Sequence, residues 1–222
     1  MPLIEIHTRP DCQWGIWRIE EAWTELLRGL DRREAHRHFL DGIRADGRRT
    51  EWLAVRALLK AMMGGREPAV AYRPEGYPYL PEEPDLHVSF THTRGYAAAI
   101  CARTPIVGID IERPTPRVLS LRNRFLSPDE RRLIADPGPD DPLRPTLCWS
   151  AKETVFKMLH LRSGDWLRDV RLVDFDLAAG CLCLREHLTP RADVFTIRAA
   201  VYPDFVLTRG VGRGELLIEH DQ

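Results

Sequence analysis

Three short clusters in this 222-residue chain have the residue types and spacing for chemistry. In Val107-Gly108-Ile109-Asp110-Ile111-Glu112 two carboxylates stand at i and i+2. In an extended strand, alternation sends Val107, Ile109 and Ile111 to one face and Gly108, Asp110 and Glu112 to the other. Two neighbouring acids repel unless a cation lies between them. Hard oxygen ligands of this kind suit Mg²⁺, which keeps part of its water and commonly binds substrate phosphates as well. By itself the pair reads equally as a strand end with two solvated acids. The second cluster is Trp149, Glu153 and Lys157, which recur every four residues and share one stripe of a helix. By itself this is a surface Glu–Lys pair. Beside the first cluster, Glu153 becomes a third carboxylate for the same cation, and Lys157 a positive charge for a phosphate one turn away. The third is Thr91-His92, at the end of an apolar strand and just before a glycine turn at Gly95. It offers a hydroxyl and a ring N–H to a phosphate oxygen, although a lone histidine in such a place is commonly structural.

These clusters need elements to hold them. Residues 20–39 read as a polar helix with a run of arginines and histidines. Residues 50–63 read as a clearer helix, with Trp52, Val55, Leu59 and Met62 at helical spacing and Gly64-Gly65 as the stop. Residues 72–84 are rich in proline and glycine and read as a loop able to carry function. Leu86, Val88 and Phe90 alternate as a strand, and residues 96–101 form a second one after Gly95. Residues 107–112 are the carboxylate strand. Ser127-Pro128-Asp129-Glu130 is a helix start with serine as cap and proline at the first helical position. Residues 136–145 read as a loop and 149–161 as the helix of Glu153. Strands follow over 170–176, 181–185, 195–202 and 205–208. A helix-plus-sheet plan in each half predicts an α+β fold of two pseudo-symmetric α/β lobes, each a small antiparallel sheet packed with a long helix. The predicted division is residues 1–104 and 105–222.

The bulk properties narrow the function. The formal net charge of -1 gives no electrostatic footprint for nucleic acid. No apolar run has the length of a membrane span, and no secretory-signal pattern opens the chain. Five cysteines, an odd number without metal-type spacing to histidines, point to reduced thiols and a cytoplasmic protein.

Taken in order, Thr91-His92, Gly108 to Glu112 and Trp149-x-x-Lys152-Glu153-x-x-x-Lys157 resemble the 4'-phosphopantetheinyl transferases, in particular the larger, monomeric, two-lobed type that activates surfactin synthetase. The resemblance runs from about Leu30 to Asp176. It implies a Mg²⁺-dependent transfer of the 4'-phosphopantetheine of coenzyme A, the co-substrate, to a serine of an apo acyl or peptidyl carrier protein, releasing 3',5'-ADP. It implies Asp110, Glu112 and Glu153 as metal ligands, Glu153 also as the base, and Lys157 and His92 as contacts to the diphosphate. For the 3'-phosphate it points to Arg32 in the stretch 30–39, with Ala35 where relatives place a basic residue, and Arg49 and Thr50 as compensation. The family's Gly-Lys-Pro turn reads Gly76-Tyr77-Pro78 here, with Arg73 nearby as a substitute charge, and Thr91 stands where serine is usual. Nucleotide contacts fall to residues 1–104, and the metal site with its catalytic helix to 105–222. Arg117, Leu119, Leu121, Arg122 and Phe125 are the candidate carrier-facing residues.

Two other classes stay open on these residues. One is a non-catalytic module that binds coenzyme A or a carrier protein on the same fold. The other is a different metal-dependent phosphotransferase or nuclease, against which stand the near-neutral charge and the lack of a Walker-type glycine loop.

Overall fold

A computed structural model describes residues 2–135, 141–161 and 164–212. Residues 136–140 of the expected loop 136–145 lie outside the described residues. Two hairpin strands, β1 (Leu3–Thr8) and β2 (Cys12–Arg18), open the chain. Three helices follow: α1 (Trp23–Gly29), α2 (Arg33–Leu40) and α3 (Asp46–Met62). A short hairpin, β3 (Ala71–Tyr72) with β4 (Pro78–Tyr79), precedes the strands β5 (His87–Thr93) and β6 (Tyr96–Ala102). The second half begins with β7 (Val107–Glu112), the short helices α4 (Pro116–Leu121) and α5 (Pro128–Leu133), and the long α6 (Leu143–Met158). It continues with β8 (Val170–Asp176), β9 (Cys181–Glu186), β10 (Val194–Val201) and β11 (Val206–Val211). The class is α+β, with antiparallel sheets ordered β1-β2-β6-β5 and β7-β11-β10-β9-β8. No helix among the described residues is long and apolar enough to cross a membrane.

Each large sheet carries one long helix. Leu53, Ala54, Leu58, Leu59 and Met62 of α3 pack against Ala97, Ala99 and Cys101 of β6 and against Leu26, Leu27 and Leu30. Cys148, Ala151, Val155 and Met158 of α6 pack against Leu172, Leu182, Leu184 and Ile197 of the second sheet. A third core lies between the sheets, where Val107, Ile109 and Ile111 meet Trp14, Ile16, Ala98 and Ile100. The small residues of β6 let both its faces be buried.

Two glycines set how near α6 can lie. A Cβ on Gly108 would stand 2.4 Å from the Thr154 carbonyl oxygen, and one on Gly210 2.5 Å from the Met158 sulfur. The helix therefore rests directly on the backbone of β7 and β11.

The two sheets adjoin along β5 and β7 without a backbone ladder. Ser89 Oγ accepts from the Ile109 N–H at 3.3 Å, and Thr91 Oγ1 from the Ile111 N–H at 3.3 Å. Both pairs advance together, so the strands run parallel and hydroxyls stand in for carbonyls. In this way the otherwise unpaired edge N–H groups of β7 are satisfied.

Several element boundaries differ from the sequence reading. The polar helix over 20–39 is two helices, α1 and α2, because the chain turns extended at Leu30. Leu30 is buried there, and the Asp31 and Arg32 N–H groups bond the Glu67 carboxylate. The helix of Glu153 starts at Leu143, inside the expected loop. Pro145 falls in its first turn, where a backbone N–H has no helical partner and its loss is harmless.

A carboxylate cluster at the end of a cleft

The strand alternation and the helix stripe converge as their spacing requires. Asp110 and Glu112 leave β7 on the face toward α6, and α6 turns Trp149, Glu153 and Lys157 to meet them. Lys157 Nζ lies 2.7 Å from Asp110 Oδ1 and 3.1 Å from the Ile109 carbonyl oxygen. Thr91 donates to Asp110 Oδ1 at 3.1 Å, and Ser150 to Oδ2 at 2.8 Å. Ser150 is itself held by Thr208, which also meets Thr154. The Trp149 indole donates to Glu112 Oε1 at 3.1 Å. The neighbour of Glu153 on α6, Lys152, is fully buried; it salt-bridges Glu130 at 2.7 Å and donates to the Phe125 and Trp166 carbonyls. Glu130 also caps α5 through Ser127. One buried pair thus ties α5 and the Trp166 turn to α6.

Charge in this cluster is unbalanced. Burial, and then the Asp110 carboxylate, push the Glu112 and Glu153 carboxyls up to about 7. Lys157 acts in the opposite direction on both. The donor chemistry therefore fits a hard divalent cation, whose charge would offset the crowding of three acids. As placed, no three His, Cys, Asp or Glu side chains among the described residues are arranged to hold an ion. The Asp110 oxygens are taken up by Lys157, Thr91 and Ser150 instead.

The cluster forms one end of a cleft of about 1140 Å³. His92, at the end of β5, lines it with Nδ1 3.5 Å from Glu51 Oε2. Burial lowers the pKa of this imidazole, with Arg48 and Lys157 adding to the effect of burial and Glu51 opposing it. It is therefore neutral at neutral pH. Opposite, the β3–β4 turn brings Gly76 and Tyr77 to the cleft, where Tyr77 stacks on His160 at 3.9 Å. Gly76 has φ 93°, which favours glycine there.

Of the residues expected to bind or react, the cleft gathers Gly76, Tyr77, Thr91, His92, Asp110, Glu112, Glu153 and Lys157. Arg32, Arg49, Thr50 and Arg73 do not line it. Arg32 pairs with Glu82 beside a separate shallow pocket. Arg49 pairs with Asp46 at 3.2 Å and lies over the Trp23 ring. Thr50 donates to the Asp46 carbonyl, and Arg73 stacks over Tyr79. The cations on that wall are Arg44, Arg48 and Arg56. Because α3 begins at Asp46, its cleft stripe runs through Arg48, Trp52, Val55 and Arg56. The signal was present in the sequence, since Arg48 and Arg56 flank Trp52 at four residues on either side. Arg56 is buried, 3.5 Å over the Trp52 ring, and donates to the Tyr72 hydroxyl at 3.0 Å. Among the described residues, its Nε and the Trp52 indole N–H are buried without a hydrogen-bond partner. Among the candidate carrier-facing residues, Phe125 is buried against Trp149 and cannot face a partner, whereas Arg117 is exposed.

Comparison with known proteins bears on the same residues. Residues 106–204 match the family model described as the 4'-phosphopantetheinyl transferase superfamily. The chain is similar to a 4'-phosphopantetheinyl transferase of Bacillus subtilis, 34% identical over 37% of this chain and 37% of the relative. It is also similar to enterobactin synthase component D of Escherichia coli O157:H7, 30% identical over 51% of this chain and 61% of that protein. The chain thus spans between 37% and 61% of the length of these curated relatives. The matched segment contains all three carboxylates and Lys157; His92 and the arginine wall precede it.

Proposed function

We propose, from the resemblance of residues 106–204 to the 4'-phosphopantetheinyl transferase superfamily, that this chain moves the 4'-phosphopantetheine of coenzyme A to a serine of an apo acyl or peptidyl carrier protein. The observation that carries the reading is the convergence of Asp110, Glu112, Glu153 and Lys157 at one end of a cleft walled by Arg44, Arg48 and Arg56. A polyanion with an aromatic base suits that wall, where two buried donors lack partners among the described residues beside an indole ring. Residues 1–104 would supply the nucleotide contacts and residues 105–222 the metal ligands, in the manner of the larger two-lobed, monomeric members of the family.

Asp110, Glu112 and Glu153 would hold Mg²⁺, which when bound neutralises the diphosphate and aligns it for in-line attack. Lys157 can turn its ammonium from Asp110 to a diphosphate oxygen. Neutral His92 can donate a ring N–H to another. Glu153 takes the proton of the acceptor serine. That oxygen forms a bond to the β-phosphorus, the bridging P–O bond breaks, and its electron pair leaves with 3',5'-ADP.

Incubating the chain with coenzyme A, Mg²⁺ and a panel of apo carrier proteins is expected to add one phosphopantetheine to a carrier, read by intact mass. No modified carrier across acyl and peptidyl types would overturn the assignment. The full engagement of Asp110 by Lys157, Thr91 and Ser150 favours a second reading, a coenzyme A-binding module without turnover. Calorimetric binding of coenzyme A with no transfer to any carrier would select it.

A further inference from the structure

A second concentration of positive charge lies away from the cleft. Arg9 in the β1–β2 turn, Arg198 on β10 and Arg209 on β11 line a concavity of about 390 Å³ together with Asp11, Cys12 and Thr196. None of its lining residues is shared with the cleft. Among the described residues, three guanidiniums stand there against one carboxylate. Arg198 and Arg209 are direct cross-strand partners, a position in which like charges repel. The ion pairs among the described residues leave all three out, although arginines elsewhere on this surface find carboxylates. Arg209 is half-buried, with its guanidinium 4.9 Å over the Trp14 ring. Burial lowers its affinity for its proton, and Arg9 and Arg198 add to this. Burial and Asp11 keep the Cys12 thiol protonated, so it brings no offsetting charge.

Guanidiniums present paired N–H donors that match the oxygens of a tetrahedral oxyanion, and the Thr196 hydroxyl adds one more donor. We propose that this concavity binds a phosphate-type oxyanion, either free phosphate or a phosphomonoester, at a site separate from the cleft. The bound anion relieves the repulsion that the cross-strand arginines otherwise sustain.

Titration calorimetry of the full chain tests this, with inorganic phosphate and phenyl phosphate as separate ligands at low ionic strength. Saturable binding is expected to survive Lys157→Ala, which removes the cleft's ammonium. It is expected to weaken about tenfold or more in Arg198→Ala and in Arg9→Ala, each of which removes one charged pair of donors from an exposed position. Tighter binding of phenyl phosphate assigns a monoester, and tighter binding of inorganic phosphate assigns the free ion. The proposal is overturned if no saturable heat appears, or if binding is lost in Lys157→Ala and kept in Arg198→Ala. Carrier modification is read separately, so failure here leaves the transferase reading untouched, and the reverse.

Discussion

Replacing Glu153 by glutamine keeps the shape of the side chain and removes its ability to take a proton. Transfer to a carrier is expected to fall about 10²–10⁴-fold, the usual contribution of a positioned base. Retained turnover would remove Glu153 from the reaction. The proposed metal requirement has its own signature. The ordinary glutamate pKa of 4.5 is raised to about 7 at Glu112 and Glu153. Between those values the unfolded chain has released protons that the folded protein still holds. Metal-free stability therefore falls as pH climbs from about 4.5 toward about 7 and levels off above. A divalent ion needs the ionised carboxylates, so Mg²⁺ is expected to raise the melting temperature more at mildly alkaline than at mildly acid pH. Equal increments, measured by thermal unfolding with Mg²⁺ or with chelator, would count against these ligands. The three acids and Lys157 were legible because strand and helix periodicities bring each set to one face. The hydroxyls of Ser150 and Thr208 that hold Asp110 were not, since their meeting depends on the packing of α6 across β7 and β11.

At the scale of elements, Gly108 is the position where the motif answers to packing. A methyl group there meets the Thr154 carbonyl, part of the helix backbone, at 2.4 Å. Gly108→Ala is expected to destabilise the fold by about 1–3 kcal/mol, which lowers the melting temperature by roughly 2–12 °C for a chain of this size. It is also expected to slow transfer, because α6 carries Glu153 and Lys157. An unchanged melting temperature would show that the helix can lift from the strand without loss. Alternation reveals β5 and β7, and the turn at Gly95 reveals β6, whereas β1 and β2 go unread despite the Ile4 and Ile6 alternation and the aromatic residues Trp14 and Trp17. The start of α3 at Asp46, before its apolar stripe, is what carries Arg49 and Thr50 away from the cleft and Arg48 into it.

Across the whole molecule, the two sheets adjoin through side-chain hydroxyls along β5 and β7, and Thr91 is the one that also bonds Asp110. Thr91→Val keeps the volume and leaves the Ile111 N–H without its acceptor, at an expected cost of about 1–3 kcal/mol. Thr91→Ser should restore most of the stability and the transfer rate. Equal effects of valine and serine, by denaturant unfolding and by turnover, would show that the hydroxyl holds nothing. This link was only half visible beforehand: Thr91 was picked out for its hydroxyl, but toward a phosphate rather than toward the strand beside it.

That seam also bears on how the chain matures on the ribosome. The backbone partner of β7 is β11, the last described strand to be made, while β5 and β6 are already complete when β7 emerges. Until β11 arrives, the strand that bears Asp110 and Glu112 can dock through the Ser89 and Thr91 hydroxyls and through the apolar contacts of its other face with β2 and β6. A nascent first half can therefore template the acidic strand early, and the slow, long-range closure of the second sheet finds it already in register.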